Sequence, residues 1–211
     1  MEIAWTDYTR FAIALVAIVD PLAAIPLFLQ LTDGFSPRER KRTARVTALA
    51  VFGVLAGAAL AGESILSAFG TSLPAFRVGG GIVLLLMALS MLTAEPDRTR
   101  HTPEEDLASR DKASVAVVPL GVPLLAGPGA ISAVILQMNA GSGAVHRGLV
   151  LGVIGLLAAA CWVALRHAQR IGRLVGPIGM NIVIRLFGLV LAAIGVEFIV
   201  AGVKELFPGL A

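Results

Sequence analysis

Six apolar segments, each long enough to cross a lipid bilayer, divide this chain of 211 residues. A spanning helix needs about 20 predominantly apolar residues. Charged residues make up only 15% of the chain, and aliphatic, aromatic and sulfur-containing residues make up 57%, a balance that does not suit a water-exposed surface. We therefore expect an all-α polytopic membrane protein rather than a soluble enzyme. The segments cover approximately residues 8–31, 44–69, 74–94, 113–138, 148–165 and 179–203.

Lysine and arginine are distributed unevenly between the connectors of these segments. Twelve lie in or within three positions of the first, third and fifth connectors, and only three lie in or within three positions of the other connectors and the termini. The cytoplasmic loops of membrane proteins carry the excess of basic residues. The odd connectors are therefore expected in the cytoplasm and both termini outside. This arrangement accounts for the net charge of +3 without a nucleic-acid partner.

The two halves of the chain can be aligned with each other. Residues 20–32 align without a gap with residues 127–139, and residues 76–82 align with residues 184–190. The offsets are 107 and 108 residues, so the two blocks are in register to within one residue. Each half holds three spans, and an odd number of spans inverts the second half in the membrane. We expect inverted three-span repeats at 1–94 and 113–211, joined by a charged cytoplasmic linker at 95–112; chance similarity of apolar segments is the alternative.

Proline and glycine interrupt the first and fourth segments near their middles, at Asp20-Pro21 and at Gly127-Pro128-Gly129. Proline removes an amide donor and clashes with the preceding turn of a helix. Unpaired backbone groups at the bilayer midplane are costly unless protein, water or ligand satisfies them. A helix that restarts after such a break offers free amides to a negative group. The pattern predicts a carboxylate site between the two breaks, unless the prolines only kink packed helices.

Small side chains around both breaks favour a small substrate. The predicted binding residues are Asp20, Pro21, Ala23, Ala24, Gly127, Pro128, Gly129 and Ala130. Asp20 is expected to meet a substrate ammonium group or to carry a coupling proton. Its alternative role is a helix cap.

Charged side chains near the ends of spans predict gates. Arg77 and Arg185 are related by the repeat, and each is expected to pair with Glu63, Glu197 or a helix carboxyl end. Snorkelling of the two arginines towards lipid headgroups is the alternative.

Glycines four residues apart, at Gly53 and Gly57 and again at Gly148 and Gly152, permit close helix contact. We expect this contact to be packing inside the helix bundle. The alternative is a subunit interface in a homo-oligomer.

The segments IVDPLAAIPLFLQLT, VVPLGVPLLAGPGAIS and PAFRVGGGI resemble the MarC-related family of bacterial inner-membrane proteins, which includes small neutral amino acid transporters. The resemblance covers roughly residues 8–203. It implies six spans in inverted repeats, a place in the bacterial inner membrane and, for some members, transport of glycine, alanine, serine or threonine.

The function expected from these observations is secondary transport of small neutral amino acids by alternating access. The chain has no GxxxxGK[ST], HExxH or GxSxG motif, which argues against ATP-driven transport and against a membrane-embedded enzyme. Cys161 is the single cysteine, and the three histidines are far apart in sequence, so neither a metal site nor a cofactor is expected. Whether transport is coupled to a proton or to a sodium ion is left open. The alternatives are a channel, a structural membrane protein or an embedded enzyme.

Overall fold

A computed structural model describes residues 5–93, 116 and 120–207. All regular structure within these ranges is helical. The helices are α1 (Trp5–Val19), α2 (Ala24–Leu31), α3 (Pro37–Ala68), α4 (Leu73–Thr93), a π-helical segment (Leu120–Leu125), α5 (Pro128–Asn139), α6 (Ala144–Arg166) and α7 (Ala168–Leu206). The predicted linker at 95–112 and the beginning of the predicted fourth segment lie outside the described residues.

Four of these helices are long and apolar enough to cross a membrane: α3, α4, α6 and the part of α7 from Ile178 to Leu206. The pair α1 and α2, which meet at a bend of 45°, makes a fifth candidate span. The described part of the predicted fourth segment consists of the π-helical segment and the 12-residue helix α5. The chain is therefore a polytopic helical membrane protein, with four or five spans recognisable among the described residues.

Helix α3 begins before its apolar part because the sequence at its start caps it. The Ser36 hydroxyl accepts a hydrogen bond from the Glu39 amide, and the Glu39 carboxylate accepts one from the Ser36 amide. Pro37 occupies the first helical position, where no amide donor is needed. The first three turns of α3 therefore carry the basic residues of the first connector.

Helices α4 and α7 form the most extensive helix–helix contact of the structure. The two helices run antiparallel, with Gly81 opposite Gly195 and Ala88 opposite Gly188. A Cβ atom on Gly81 would lie only 2.6 Å from the carbonyl oxygen of Gly195. A Cβ atom on Gly195 would lie 2.9 Å from the carbonyl oxygen of Gly81. The two backbones can approach this closely only because both positions lack side chains.

The predicted role of the regularly spaced glycines is wrong. A Cβ atom on Gly53, Gly57, Gly148 or Gly152 would meet nothing within 4 Å, so these glycines do not pack inside the bundle. The glycine of α3 that does pack is Gly62, where a Cβ atom would lie 2.4 Å from Ile135 of α5. The spacing of small residues identifies a helix face, but it does not say whether protein or lipid covers that face.

Helix α7 contains a sharp kink that the sequence analysis did not predict. Gly176 has φ 67° and ψ 172°, which only glycine adopts without strain, and it precedes Pro177. The kink separates a short basic arm, with Arg170 and Arg173, from the long apolar part of the helix.

Candidate functional site

The first helix break centres on Asp20, as predicted. Helix α1 ends at Val19, and Asp20 has φ 45°, the one positive φ of a non-glycine residue in the described ranges. Aspartate tolerates this conformation because its side chain can bond to the local backbone. Its Oδ1 accepts a hydrogen bond from the Ala23 amide at 3.1 Å, so Asp20 caps the turn that leads into α2. The residue is 0% exposed, which places a carboxyl group in the interior.

The second break lies between the π-helical segment and α5. Helix α5 begins at Pro128, and Gly127 is its N-cap residue in extended conformation. No side chain caps this helix in the part of the chain that the structure describes. Gly127, Gly129 and Ala130 are buried, whereas Pro128 is exposed. The amides of Gly129 and Ala130, in the first turn of α5, therefore belong to buried residues at the positive end of the helix dipole.

The contacts of the broken segments place the two breaks at one level. Helix α1 packs against α5, and α2 contacts the π-helical segment. The first part of one broken segment thus lies beside the second part of the other. The two segments run antiparallel, and their breaks lie side by side.

Gly129 packs against α4 and does not line an open space. A Cβ atom on Gly129 would lie 2.5 Å from Cδ2 of Leu84 and 3.3 Å from Sδ of Met87. A larger residue at Gly129 would therefore require Leu84 and Met87 to repack or α5 to shift away from α4. A substitution at Gly129 therefore reports mainly on the packing of α5 against α4, and only secondarily on the volume of a binding site.

A cavity of about 820 Å³ opens beside α1. Its walls are α1 from Asp7 to Ile18, the second half of α5 with the loop that follows it, and α7 from Ile194 to Ala201. We call it the α1 cavity.

A second cavity, of about 510 Å³, opens beside α2. Its walls are α2 from Ile25 onwards, the side chain of Arg40, and α7 from Gln169 to Met180. We call it the α2 cavity. The two cavities lie at opposite ends of α7, because Met180 and Ile194 are 14 positions apart, which is about 21 Å along a helix.

Both cavities end at the first break. Along the chain, the α1 cavity stops at Ile18 and the α2 cavity begins at Ile25. Between these residues, Val19, Asp20, Pro21 and Ala24 are buried, and Leu22 and Ala23 are half-buried. We call residues 19–24 the partition, because they separate the two cavities along the chain.

The predicted binding residues lie in or beside this partition. None of the eight lines either cavity as the described residues define them. Of the predicted gate residues, Arg77 and Glu197 line the α1 cavity. Arg185 and Glu63 are exposed and line neither cavity.

Arg77 forms its ion pair with a residue that the sequence analysis did not select. Its guanidinium donates to the carboxylate of Glu205, near the end of α7. The other predicted partners, Glu63 and Glu197, have no ion pair within the ranges that the structure describes. The pair ties the start of α4 to the end of α7 at the mouth of the α1 cavity.

Tyr8 and His146 form a second link at this mouth, which the sequence analysis missed. Nε2 of His146 lies 3.0 Å from the carbonyl oxygen of Gln137, which can only accept, so this nitrogen donates. In the neutral ring Nδ1 then accepts a hydrogen bond from the Tyr8 hydroxyl, at 2.7 Å. Gly141 makes room for the imidazole, because a Cβ atom there would lie 2.8 Å from Nδ1. The one signal in the sequence that relates Tyr8 to His146 is the predicted topology, which places both residues on the outer side of the membrane.

The described interior offers charge and backbone amides rather than metal ligands. Within the described ranges, no group of three or more histidine, cysteine or acidic residues is arranged to hold a metal ion. Asp20 is the single charged residue among the buried polar residues there. This part of the interior can therefore present one carboxyl group and backbone amides to a polar group.

Comparison with known proteins identifies the family. The model of the MarC family of integral membrane proteins matches residues 5–207. UPF0056 membrane protein YhcE of Escherichia coli is 36% identical over 203 residues, which are 96% of this chain and 94% of the relative. A UPF0056 membrane protein of Buchnera aphidicola is 37% identical over 203 residues, which are also 96% of this chain and 94% of the relative. One from Methanocaldococcus jannaschii is 36% identical over 191 residues, 90% of this chain and 93% of the relative.

No solved structure matches the chain. The names of the relatives place them in membranes and state no substrate. A family match over nearly the whole length, together with these identities, shows that the chain belongs to the MarC family of integral membrane proteins.

Proposed function

We propose that this protein is a secondary transporter of small neutral amino acids that works by alternating access. The observation that carries the proposal is the pair of cavities that open at opposite ends of α7 and both end at the break around Asp20. A carrier needs a site that is reached from one side at a time. A partition with a cavity on each side supplies such a site if it opens to one cavity at a time, first to one and then to the other.

The charges at the two breaks suit a zwitterion. The start of α5 has no side-chain cap among the described residues and attracts a carboxylate through its amides and its dipole. Asp20 supplies the opposite charge for an ammonium group. A neutral amino acid carries both groups, and a solute with only one of them leaves the other charge unmatched. The small side chains of Ala23, Ala24 and Ala130 favour the glycine, alanine, serine and threonine class.

The contact between α4 and α7 supports an inverted repeat. Because Gly81 lies opposite Gly195 and Ala88 opposite Gly188, Leu84 lies level with Ala192 by interpolation. Leu84 and Ala192 are the pair in this contact whose separation, 108 positions, equals the offset between the two halves, and this pair lies near the middle of the contact between α4 and α7. A pseudo-two-fold axis would therefore pass at this level. Leu84 also lies against Gly129, so such an axis would pass at the level of the second break.

The basic residues support an orientation. Arg40 and Arg173 line the α2 cavity, and the basic start of α3 lies at the same end of the bundle. We infer that the α2 cavity faces the cytoplasm, and that the α1 cavity and both termini face outward across the bacterial inner membrane. We propose Asp20, a buried carboxyl group at the break, as the residue that carries a coupling proton or meets a sodium ion.

A channel is the second candidate, and the partition argues against it. A conducting pore needs a continuous path, whereas buried residues separate the two cavities. Counterflow distinguishes the candidates in purified protein reconstituted into liposomes. Unlabelled alanine inside should accelerate the entry of labelled alanine, and entry should saturate. Linear, non-saturable flux would support the channel. No exchange of glycine, alanine, serine or threonine would contradict the substrate class.

A further inference from the structure

A groove of about 400 Å³ lies on the outside of the bundle between α3 and α6. Its walls are apolar and include Leu49 and Phe52 from α3 and Gly155 and Ala159 from α6. Leu49 is 63% exposed, so the groove is open towards the surroundings of the bundle. None of its lining residues lines the α1 or the α2 cavity.

The lining of the groove suits a hydrocarbon chain, because apart from Arg45 it consists of apolar residues and a tryptophan. A Cβ atom on Gly155 would lie 3.7 Å from the ring of Phe52, so α3 and α6 are in direct contact beneath it.

One end of the groove is strongly basic. Arg45 lines this end, together with Trp162 of α6. The guanidinium carbon of Arg166 lies 5.1 Å from the centre of the Trp162 ring, which holds a second positive charge beside the first. Within the described residues neither arginine has a carboxylate partner. Two cations thus stand at the mouth of an apolar groove.

We propose that this groove binds an anionic phospholipid from the leaflet at the basic end of α3 and α6. The phosphate group lies between Arg45 and Arg166, and one acyl chain runs along Phe52 and Ala159. Trp162 sits at the level of the headgroup, where tryptophan is favoured in membranes. An anionic lipid is preferred over a zwitterionic one because only its net charge is matched by the two arginines.

The two tryptophans of the chain make the site measurable. In a Trp5→Phe background, Trp162 is the single tryptophan and reports contact with lipids whose acyl chains carry bromine, a fluorescence quencher. The full-length protein is reconstituted in phosphatidylcholine vesicles with increasing fractions of brominated phosphatidylglycerol or brominated phosphatidylcholine. We expect brominated phosphatidylglycerol to quench Trp162 at a lower mole fraction than brominated phosphatidylcholine does. The mole fraction should be lower by about fivefold for each arginine that contacts the phosphatidylglycerol headgroup.

Matched variants separate the headgroup from the chain. Arg45→Gln and Arg166→Gln should each reduce the preference for phosphatidylglycerol about fivefold. Arg38→Gln removes the same charge from α3 outside the groove and should leave the preference unchanged. Ala159→Phe fills the groove and should weaken quenching by both lipids, whereas Ala160→Phe, one position away and outside the groove, should not.

Three results would overturn the proposal. Equal quenching by the two brominated lipids would show that Trp162 contacts ordinary bulk lipid. The absence of quenching by either lipid would show that another protein surface covers the groove. An equal effect of Arg38→Gln and Arg45→Gln would assign the preference to surface charge in general. Since the groove is separate from both cavities, each of these results is distinguishable from a failure of transport.

Discussion

Replacing Gly81 by alanine tests the contact on which the arrangement of the two halves depends. In the structure a Cβ atom at Gly81 would lie 2.6 Å from the carbonyl oxygen of Gly195. That distance is well inside van der Waals contact, and the atom it meets belongs to a helix backbone that cannot rotate away. Overpacking of this kind costs about 1–3 kcal/mol.

Gly79 provides the matched control. It lies two positions away on the same helix, is exposed, and would place its Cβ atom against nothing within 4 Å. Alanine gains up to about 1 kcal/mol of helix propensity over glycine at either position. This gain cancels when the two variants are compared, so the overpacking cost remains as the difference.

We therefore expect the free energy of unfolding of Gly81→Ala to be about 1–3 kcal/mol lower than that of Gly79→Ala. Titration of the detergent-solubilised protein with sodium dodecyl sulfate, followed by tryptophan fluorescence, measures this quantity. Gly195→Ala should behave like Gly81→Ala, because its Cβ atom would lie 2.9 Å from the carbonyl oxygen of Gly81. Equal stability of Gly81→Ala and Gly79→Ala would refute the close antiparallel contact of α4 and α7.

Three further predictions concern the site and the orientation. Asp20→Asn keeps a capping oxygen but loses the charge, and it should lower the rate of alanine counterflow at least about tenfold. Asp33→Asn, at the exposed rim of the α2 cavity, should leave that rate near the wild-type value. Full counterflow activity of Asp20→Asn would show that Asp20 acts only as a helix cap. Arg77→Ala and Glu205→Ala should each change the rate of net uptake by about fivefold or less. The double variant should have the same uptake rate as each single variant, and additive losses of uptake would show that the two residues act separately. A cysteine introduced at the exposed Ser142 should react with a membrane-impermeant thiol reagent in intact cells, whereas reaction only after lysis would reverse the proposed orientation.

The helix breaks could be predicted from the sequence because their cause is local. Proline at Pro21 and Pro128 removes an amide donor wherever the segment lies, and the structure ends α1 and begins α5 at these points. A glycine and a proline also break a helix at Gly176-Pro177. This break was not predicted, because the basic residues before it indicated a connector between spans rather than a helix.

Partners in space could not be predicted from the sequence. Arg77 pairs with Glu205, 128 positions away, through the packing of two helices that share no local signal. Gly129 has the small size expected of a residue lining a binding site, yet its neighbour is Leu84 of α4. Composition shows that a position needs a small side chain, and only the fold shows whether a substrate or another helix occupies the space beside it.

The contact between α4 and α7 also has a consequence for biosynthesis. The glycines that meet there belong to opposite halves of the chain, and α7 leaves the ribosome long after α4. Helix α4 is therefore inserted into the bilayer with lipid against Gly81, and it exchanges that lipid for Gly195 only after more than a hundred further residues have been synthesised. A chain that stops before Ile178 never completes the exchange, and its exposed glycine face distinguishes an unfinished product from a finished one.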